Sequence, residues 1–369
     1  MRRPAWVEVD LGAIRHNAEA LAALAGTRLL AVVKADAYGH GAVAVAEALA
    51  GLPPVYGFGV ATPDEALELR QAGVAKPVLV LGPAPDCVPE LAAADVAVTV
   101  GSLEEARRAA EQTTDGVRTP LAVHIELETG MGRTGARPEL LSRIVQELAA
   151  APRLQLAGVY SHFAVAETDL DFTRRQLAAF QAAVEPFRRD SLPQHLANSA
   201  GLIRLPEARL DLCRPGAALY GFNPGLPAGE MPRLRPALSL TAQVVALREI
   251  RPGETSGYGR RFCAARLTTV AVVPVGYADG YCRGLSGTGD VLVRGARCPV
   301  VGSVSMDTLV VDVTGVAAVR LGDEVVLLGP QGDEAITVEE LAGRAGRIPH
   351  EITTCLGRRL PRLYREPTA

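Results

Sequence analysis

The sequence predicts an α/β protein, a (β/α)8 TIM-like barrel followed by a mostly-β C-terminal domain. Three features point there. Between residue 10 and about residue 215, eight short β-branched runs alternate with Ala/Leu/Glu/Arg-rich stretches of helical length. After about residue 236, Val/Leu/Thr-rich segments follow one another directly through Gly and Pro turns. Polar residues also interrupt the apolar runs at their C-terminal ends, where a barrel opens its active-site mouth.

The strand candidates of the first part are 29–34, 56–60, 77–81, 96–100, 121–127, 156–161, 194–198 and 210–214. Helices fall between them. Asp10 precedes the Ala/Leu-rich stretch 11–25, which stops at Gly26. Thr62-Pro-Asp-Glu65 puts a capping hydroxyl before a proline at the first helical position, with a Glu three residues after the cap. An open doubly wound sheet is the alternative if the strand count is off by one or two. The later segments are 238–250, 267–275, 290–294, 298–304, 308–313 and 324–328, with one helical stretch at Thr337–Gly346 and a closing strand region. The expected organisation is an N-terminal strand, 1–9, joining the C-terminal domain, a barrel over 10–235, and a β-domain over 236–369. Gly225–Pro236, dense in Gly and Pro, is the linker.

Composition narrows the function. A net charge of −3 without blocks of like charge argues against nucleic acid or an anionic membrane as partner. Gly, Pro or charge breaks every apolar run before spanning length. Residues 1–10 contain no apolar h-region and read as the start of a mature, cytoplasmic protein. The six cysteines form no C-x-x-C pair and no cluster with histidine, so reduced thiols and no metal are expected.

Of thirty-eight basic residues only two are lysines, Lys34 and Lys76, so a lysine that has not given way to arginine invites attention. Lys34 ends the run Leu29-Leu-Ala-Val-Val-Lys34. Only an amine, never a guanidinium, can lose its proton and attack a carbonyl, and desolvation at a strand end eases that loss. The alternative is a stem packed on the strand end with its head in water. Arg133, His162, Asn198, Ser199 and Arg214 fall at or just past other strand ends, too regular a pattern for five unrelated core residues. Gly130-Met-Gly-Arg-Thr-Gly135 matches the dinucleotide fingerprint. It sits in the fifth βα unit, however, with no acidic residue near 155 to hold a ribose, so that role is set aside.

Taken together these residues resemble the alanine racemases, over essentially the whole chain. The strongest element is Val33-Lys-Ala-Asp-Ala-Tyr-Gly-His-Gly41. It is supported by Thr129-Gly-Met-Gly-Arg-Thr-Gly135, Tyr160-Ser-His162, Ala197-Asn-Ser-Ala200, Arg214-Pro-Gly-Ala-Ala-Leu-Tyr-Gly221, Gly257-Tyr-Gly259, Gly276-Tyr-Ala-Asp-Gly280 and Ser305-Met-Asp307. The resemblance implies a pyridoxal 5′-phosphate (PLP) isomerase that interconverts L- and D-alanine and supplies D-alanine for peptidoglycan. It also implies a head-to-tail homodimer whose active sites are shared across the interface.

Lys34 would hold PLP as a Schiff base and act as one base; Tyr258 of the other copy would be the second. His162 and Arg214 would form a chain toward that tyrosine, Arg214 also contacting the pyridine nitrogen. Tyr38, Ser199 and the N–H groups of Gly216 and Ala217 would hold the phosphate, with Asn198 beside them and Arg133 at the phenolic oxygen. Met306, through its backbone, and Arg133 would meet the substrate carboxylate, with Tyr277 shaping the entrance and Asp307 structural. Three positions depart from the family. Glu126 stands where many members have a carbamylated lysine, and would orient Arg133 as a ready-made carboxylate. Arg358 replaces a tyrosine of some relatives, and Ser305 a frequent cysteine. The rival readings are a racemase of serine or larger amino acids, a PLP decarboxylase of the same fold type, and a PLP-binding regulatory barrel. The decarboxylases usually present an acidic residue where Arg214 stands, and the regulatory barrel lacks the β-domain.

Overall fold

The computed structural model describes residues 3–84, 86–113, 120–187, 192–227 and 229–365, so Ala228 of the Gly/Pro-rich linker and both chain ends lie outside the described residues. Two compact units emerge, one of residues 14–235 and one combining residues 1–13 with 236–369.

The first strand, β1 (Ala5–Asp10), belongs to the second of these units. Its odd residues Ala5, Val7 and Val9 are buried and its even ones are not, the two-residue period of a strand with one face on a core. After it, Asp10 accepts the Ala13 N–H at 2.8 Å and opens the helix Leu11–Ala25, which Gly26 ends at φ +67°.

The 14–235 unit is a ring of parallel strands: β2 (Arg28–Val32), β3 (Val55–Val60), β4 (Val78–Val80), β5 (Val98–Val100), β6 (Leu121–Glu126), β7 (Leu154–Tyr160), β8 (Gln194–His195) and β9 (Leu212–Cys213). Ladders run in the order β4-β3-β2-β9-β8-β7-β6-β5. The two ends meet through the parallel bridge Leu79–Ala97, with Val80 N–H donating to Ala97 O at 2.9 Å, so the sheet curls into a nearly closed barrel. That near-closure favours the barrel over the open sheet. Helices 42–50, 63–71, 88–93, 103–112, 141–150, 170–184 and 199–204 fill the crossovers. Helix 63–71 begins with a reciprocal capping box between Thr62 and Glu65.

The other unit is mostly β. One seven-stranded sheet runs β16 (Ala296–Pro299), β15 (Asp290–Val293), β18 (Glu324–Gln331), β10 (Leu238–Gln243), β1 and β20 (Arg362–Arg365), with β19 (Glu334–Ile336) hung on β18. A second sheet joins β11 (Ala246–Ile250), β14 (Thr268–Val273) and β17 (Leu309–Asp312), and β12 (Thr255–Ser256) pairs with β13 (Phe262–Cys263). The expected single strand 238–250 is therefore two strands in different sheets. The chain turns at Val244 and Val245, whose N–H groups go to Asp323 and Val272 rather than to one ladder. Likewise the strand expected over 298–304 stops at Pro299. It continues only as a bridge from Val300 to Val311 before the loop that carries Met306.

Candidate active site

Lys34 stands at the carboxyl end of β2, half-buried, and opens a turn made of residues ill suited to it. Ala35, Asp36, Ala37 and Tyr38 all have φ between 52° and 54°, a left-handed helical turn without glycine. Each such residue crowds its Cβ against a carbonyl at a cost of roughly 1–2 kcal/mol, and strain of this kind concentrates at functional sites. The turn is held by Ala37 N–H to Val33 O at 2.8 Å and Gly41 N–H to Asp36 O at 2.8 Å. Asp36 Oδ1 accepts the Ala42 N–H, also at 2.8 Å. Burial lowers the Lys34 amine below the ordinary lysine range; Arg133 lowers it further, Glu65 opposes, and Arg214 adds a smaller push downward. Lys76 is placed differently. Its amine donates to the carbonyls of Leu52 and Val55, at the amino end of β3.

The left-handed turn swings Tyr38 into the barrel end, where its ring lies 5.0 Å from that of Tyr220. Burial pushes its phenol up to about 12, so it is a neutral hydroxyl at ordinary pH. A methyl group built on Gly216 would come within 2.3 Å of the Tyr38 hydroxyl. Glycine is required there by that close approach. Ser199 Oγ accepts the N–H of Gly216 at 3.0 Å and of Ala218 at 3.2 Å, leaving its own proton to donate. Asn198 caps helix 199–204 by accepting the Gly201 N–H at 2.9 Å. The hydroxyls of Tyr38 and Ser199 and the N–H of Ala217 thus line a cradle free of amines, which suits a phosphate dianion, while the Gly216 N–H is already given to Ser199 Oγ.

Arg214, at the end of β9, is buried with no carboxylate in hydrogen-bond contact among the described residues. Its donors go to Ser161 O (2.7 Å), His195 O (2.9 Å), Leu196 O (3.3 Å), His195 Nδ1 (2.8 Å) and His162 Nδ1 (3.1 Å). A guanidinium only donates, so both imidazoles accept at Nδ1 and carry their proton on Nε2. His195 passes its Nε2–H to His124 Nδ1 at 3.0 Å, which makes His124 the same tautomer. Burial, then the charges of Arg214, Arg133 and Lys34, holds His162 neutral well below the usual histidine range. The Tyr160 ring completes the pocket, 4.9 Å from the Arg214 guanidinium and stacked on His195.

Arg133 lies in the Gly-rich loop after β6. Glu126, buried at the end of that strand, has a carboxylate oxygen 3.7 Å from the Arg133 guanidinium, and its other oxygen accepts the Thr134 hydroxyl at 2.6 Å. The loop's backbone donors are already occupied. Glu128 accepts the N–H of Gly130 at 2.5 Å, of Gly132 at 2.6 Å and of Arg133 at 3.2 Å. A side chain therefore fills the nest in which a dinucleotide phosphate would sit.

The remaining predicted residues lie in the other unit, on loops tied to one another. Tyr258 O accepts the Ser303 hydroxyl at 2.9 Å, Tyr277 N–H donates to Ser305 O at 3.0 Å, and Ala278 N–H donates to Met306 O at 3.0 Å. Buried Asp279 takes a bidentate contact from Arg3 at 2.6 and 2.5 Å and an ion pair from Arg359 at 3.2 Å. Arg359 also reaches Asp307 at 2.6 Å. These bonds support three exposed side chains, Tyr258 (75%), Met306 (51%) and Tyr277 (41%). Arg358 is exposed at a turn nearby in sequence. Glu65, Glu128, His195 and His124 belong to this site as well, though their sequence context does not mark them as site residues. Only Glu65 carried a signal there, as a helix cap.

The family model described as alanine racemase, N-terminal domain, matches residues 9–224, and that for the C-terminal domain matches residues 237–364. The alanine racemase of Sorangium cellulosum is 43% identical over 99% of this chain and the whole of that one. That of Carboxydothermus hydrogenoformans is 41% identical over 98% of this chain and all of its own. Among solved structures, alanine racemase from E. faecalis superposes with a TM-score of 0.93 at 35% identity, covering 99% of both chains. The Bacillus anthracis enzyme with bound L-Ala-P gives 0.92 at 37% identity, covering 100% of this chain and 96% of that one.

Proposed function

Because the chain belongs to the alanine racemase family, we infer that it interconverts L- and D-alanine with pyridoxal 5′-phosphate, using Lys34 and Tyr258 as its two bases. The observation that carries this reading is the pairing of an amine of lowered pKa with a donor-lined cradle at the same barrel end.

The residues present fit the cofactor. Gly216 leaves room that a side chain would fill, beside hydroxyl and backbone donors of the right kind for a phosphate. Lys34 would hold the group covalently. Tyr38, Ser199 and the Ala217 N–H would take its phosphate, with the Gly216 N–H turning to it from Ser199 Oγ, Arg133 its phenolic oxygen and Arg214 its ring nitrogen. Bound there, pyridoxal 5′-phosphate acidifies the α-carbon of an amino acid by spreading its negative charge into the ring. Arg214 cannot surrender its proton to the ring nitrogen, which limits that spreading and favours return of the proton over other outcomes. A decarboxylase would be better served by a carboxylate at this position.

Racemisation needs a proton removed from one face of a planar carbon and delivered to the other, and one side chain does not reach both faces. The Lys34 amine serves one face; the Tyr258 phenol of a second copy serves the opposite one. The exposure of Tyr258 in its own chain supports a role completed by that second copy. His162, neutral and protonated on Nε2, can donate to the Tyr258 oxygen and so steady a phenolate. Met306 and Tyr277, on loops bonded to each other, would border the substrate from the same copy as Tyr258, and Glu126 would keep Arg133 turned toward the site.

Incubation with L-alanine in deuterium oxide tests the reading. D-Alanine bearing deuterium at the α-carbon is expected, whereas release of carbon dioxide or retention of the L-enantiomer without exchange would contradict it.

A further inference from the structure

The left-handed turn that presents Lys34 closes its downstream end with its own residues, the Gly41 N–H donating to Asp36 O and the Ala42 N–H to Asp36 Oδ1, and its Ala37 N–H reaches back to Val33 O. Its upstream end is also tied to another βα unit. The first N–H of the turn, that of Ala35, donates to Glu65 Oε1 at 2.7 Å. The other oxygen of the same carboxylate accepts the N–H of Ala61 at 2.7 Å and of Thr62 at 3.2 Å, just past β3. One side chain therefore ties the residue after Lys34 to the rim of the neighbouring strand. Helix 63–71 needs only the Thr62 half of this arrangement for its cap; the bond to Ala35 adds nothing to that helix.

We propose that Glu65 is a positioning residue for Lys34, its carboxylate locking the left-handed turn and thereby fixing where the Lys34 amine stands. This rests on Lys34 being the amine that takes the cofactor. Glu65 is also the opposite charge nearest in effect to that amine, partly offsetting the arginines that depress its basicity. Its second role is consistent with the first, because a carboxylate held 2.7 Å from the Ala35 N–H cannot drift from the lysine beside it.

Glu65→Gln keeps the shape but leaves one acceptor oxygen for three N–H groups, and its amide NH2 opposes whichever donor loses. Amide exchange, read by mass spectrometry over residues 33–41 in the full chain without substrate, should speed up at Ala35 by about tenfold or more. Peptides from β10 should match wild type and certify folding. Glu65→Asp, one methylene short of Ala35, should loosen the same segment. Thr62→Ala removes the hydroxyl that caps helix 63–71 at 3.3 Å and should speed exchange in 63–71 while leaving 33–41 protected. With cofactor and alanine, Glu65→Gln should lower kcat about tenfold or more while KM stays within about twofold, since misplacing a reacting group costs rate before binding. Borohydride trapping of pyridoxal 5′-phosphate on Lys34 should slow in parallel. Continued protection of Ala35 in Glu65→Gln overturns the proposal, as does Thr62→Ala reproducing the whole loss. A wild-type chain inert toward alanine, with 33–41 still loosened in Glu65→Gln, overturns the racemase reading and leaves the anchor standing.

Discussion

A guanidinium that can only donate, set between two imidazoles, decides both tautomers without reference to pH. Arg214 does this for His162 and His195, and His195 extends it to His124. His124 and His195 are buried and His162 half-buried, and all three are held neutral. Burial, with the Arg214 charge adding to it, pushes His124 down to about 4, and His195 falls well below its usual value for the same reasons. The sign of the linkage follows. In the unfolded chain each titrates near ~6.5, so between that pH and the folded value the unfolded state binds more protons. Stability should rise with pH across the window from about 4 to about 6.5, by roughly 1.4 kcal/mol per pH unit for each histidine at most. Denaturant unfolding between those limits measures the slope. His124→Asn should flatten it by close to one proton, and an unaltered slope would show that His124 is not kept neutral. None of this was visible in the sequence, because His124 and His195 lie inside strand runs and look like any core residue until Arg214 is seen beside them.

The elements divide by whether backbone propensity agrees with the observed conformation. Thr62-Pro-Asp-Glu65 could be read as a helix start because each residue type performs its usual task there. The turn after Lys34 could not, since nothing about Ala, Asp, Ala and Tyr favours four successive left-handed residues. It is held by bonds among its own residues and their neighbours, Val33, Asp36, Gly41 and Ala42, and by one from another βα unit, the Ala35 N–H to Glu65. The position of the Gly-rich loop in the chain argues against a nucleotide site; the physical reason, Glu128 sitting in its own nest, emerges only from the folded loop. The cradle itself rests on one close approach. Gly216→Ala should displace the Tyr38 hydroxyl, since the added methyl would fall 2.3 Å from it. Affinity for pyridoxal 5′-phosphate should drop by about tenfold or more, near 1.4 kcal/mol, in a fluorescence titration. Equal affinity in the two chains would remove Tyr38 and Gly216 from the phosphate site.

At the scale of the molecule, the alternation of strand and helix up to residue 215 and its loss after 236 reflect two different ways of burying apolar surface. One is a parallel sheet covered by helices and the other a set of sheets that are antiparallel except where β1 pairs with β20. That contrast lies in periodicity, so it could be read from the sequence. The near-closure through Leu79 and Ala97, and the change of sheet at Val244–Val245, depend on pairings distant in sequence and could not. The strand-end residues were legible for the same geometric reason that a barrel gathers them at one rim. Tyr258, Tyr277 and Met306 were legible only by resemblance, because exposed loop residues in a β-unit carry no periodic signal.

The two-base account requires a proton donor from each of two copies, and co-expression of Lys34→Arg chains with Tyr258→Phe chains tests it most directly. Each variant alone should be nearly inactive. In a random mixture of dimers, the mixed species carries one site with both wild-type residues, so activity should return to about a quarter of the wild-type value per site. Activity that stays at the sum of the two separate variants would contradict a site shared between copies.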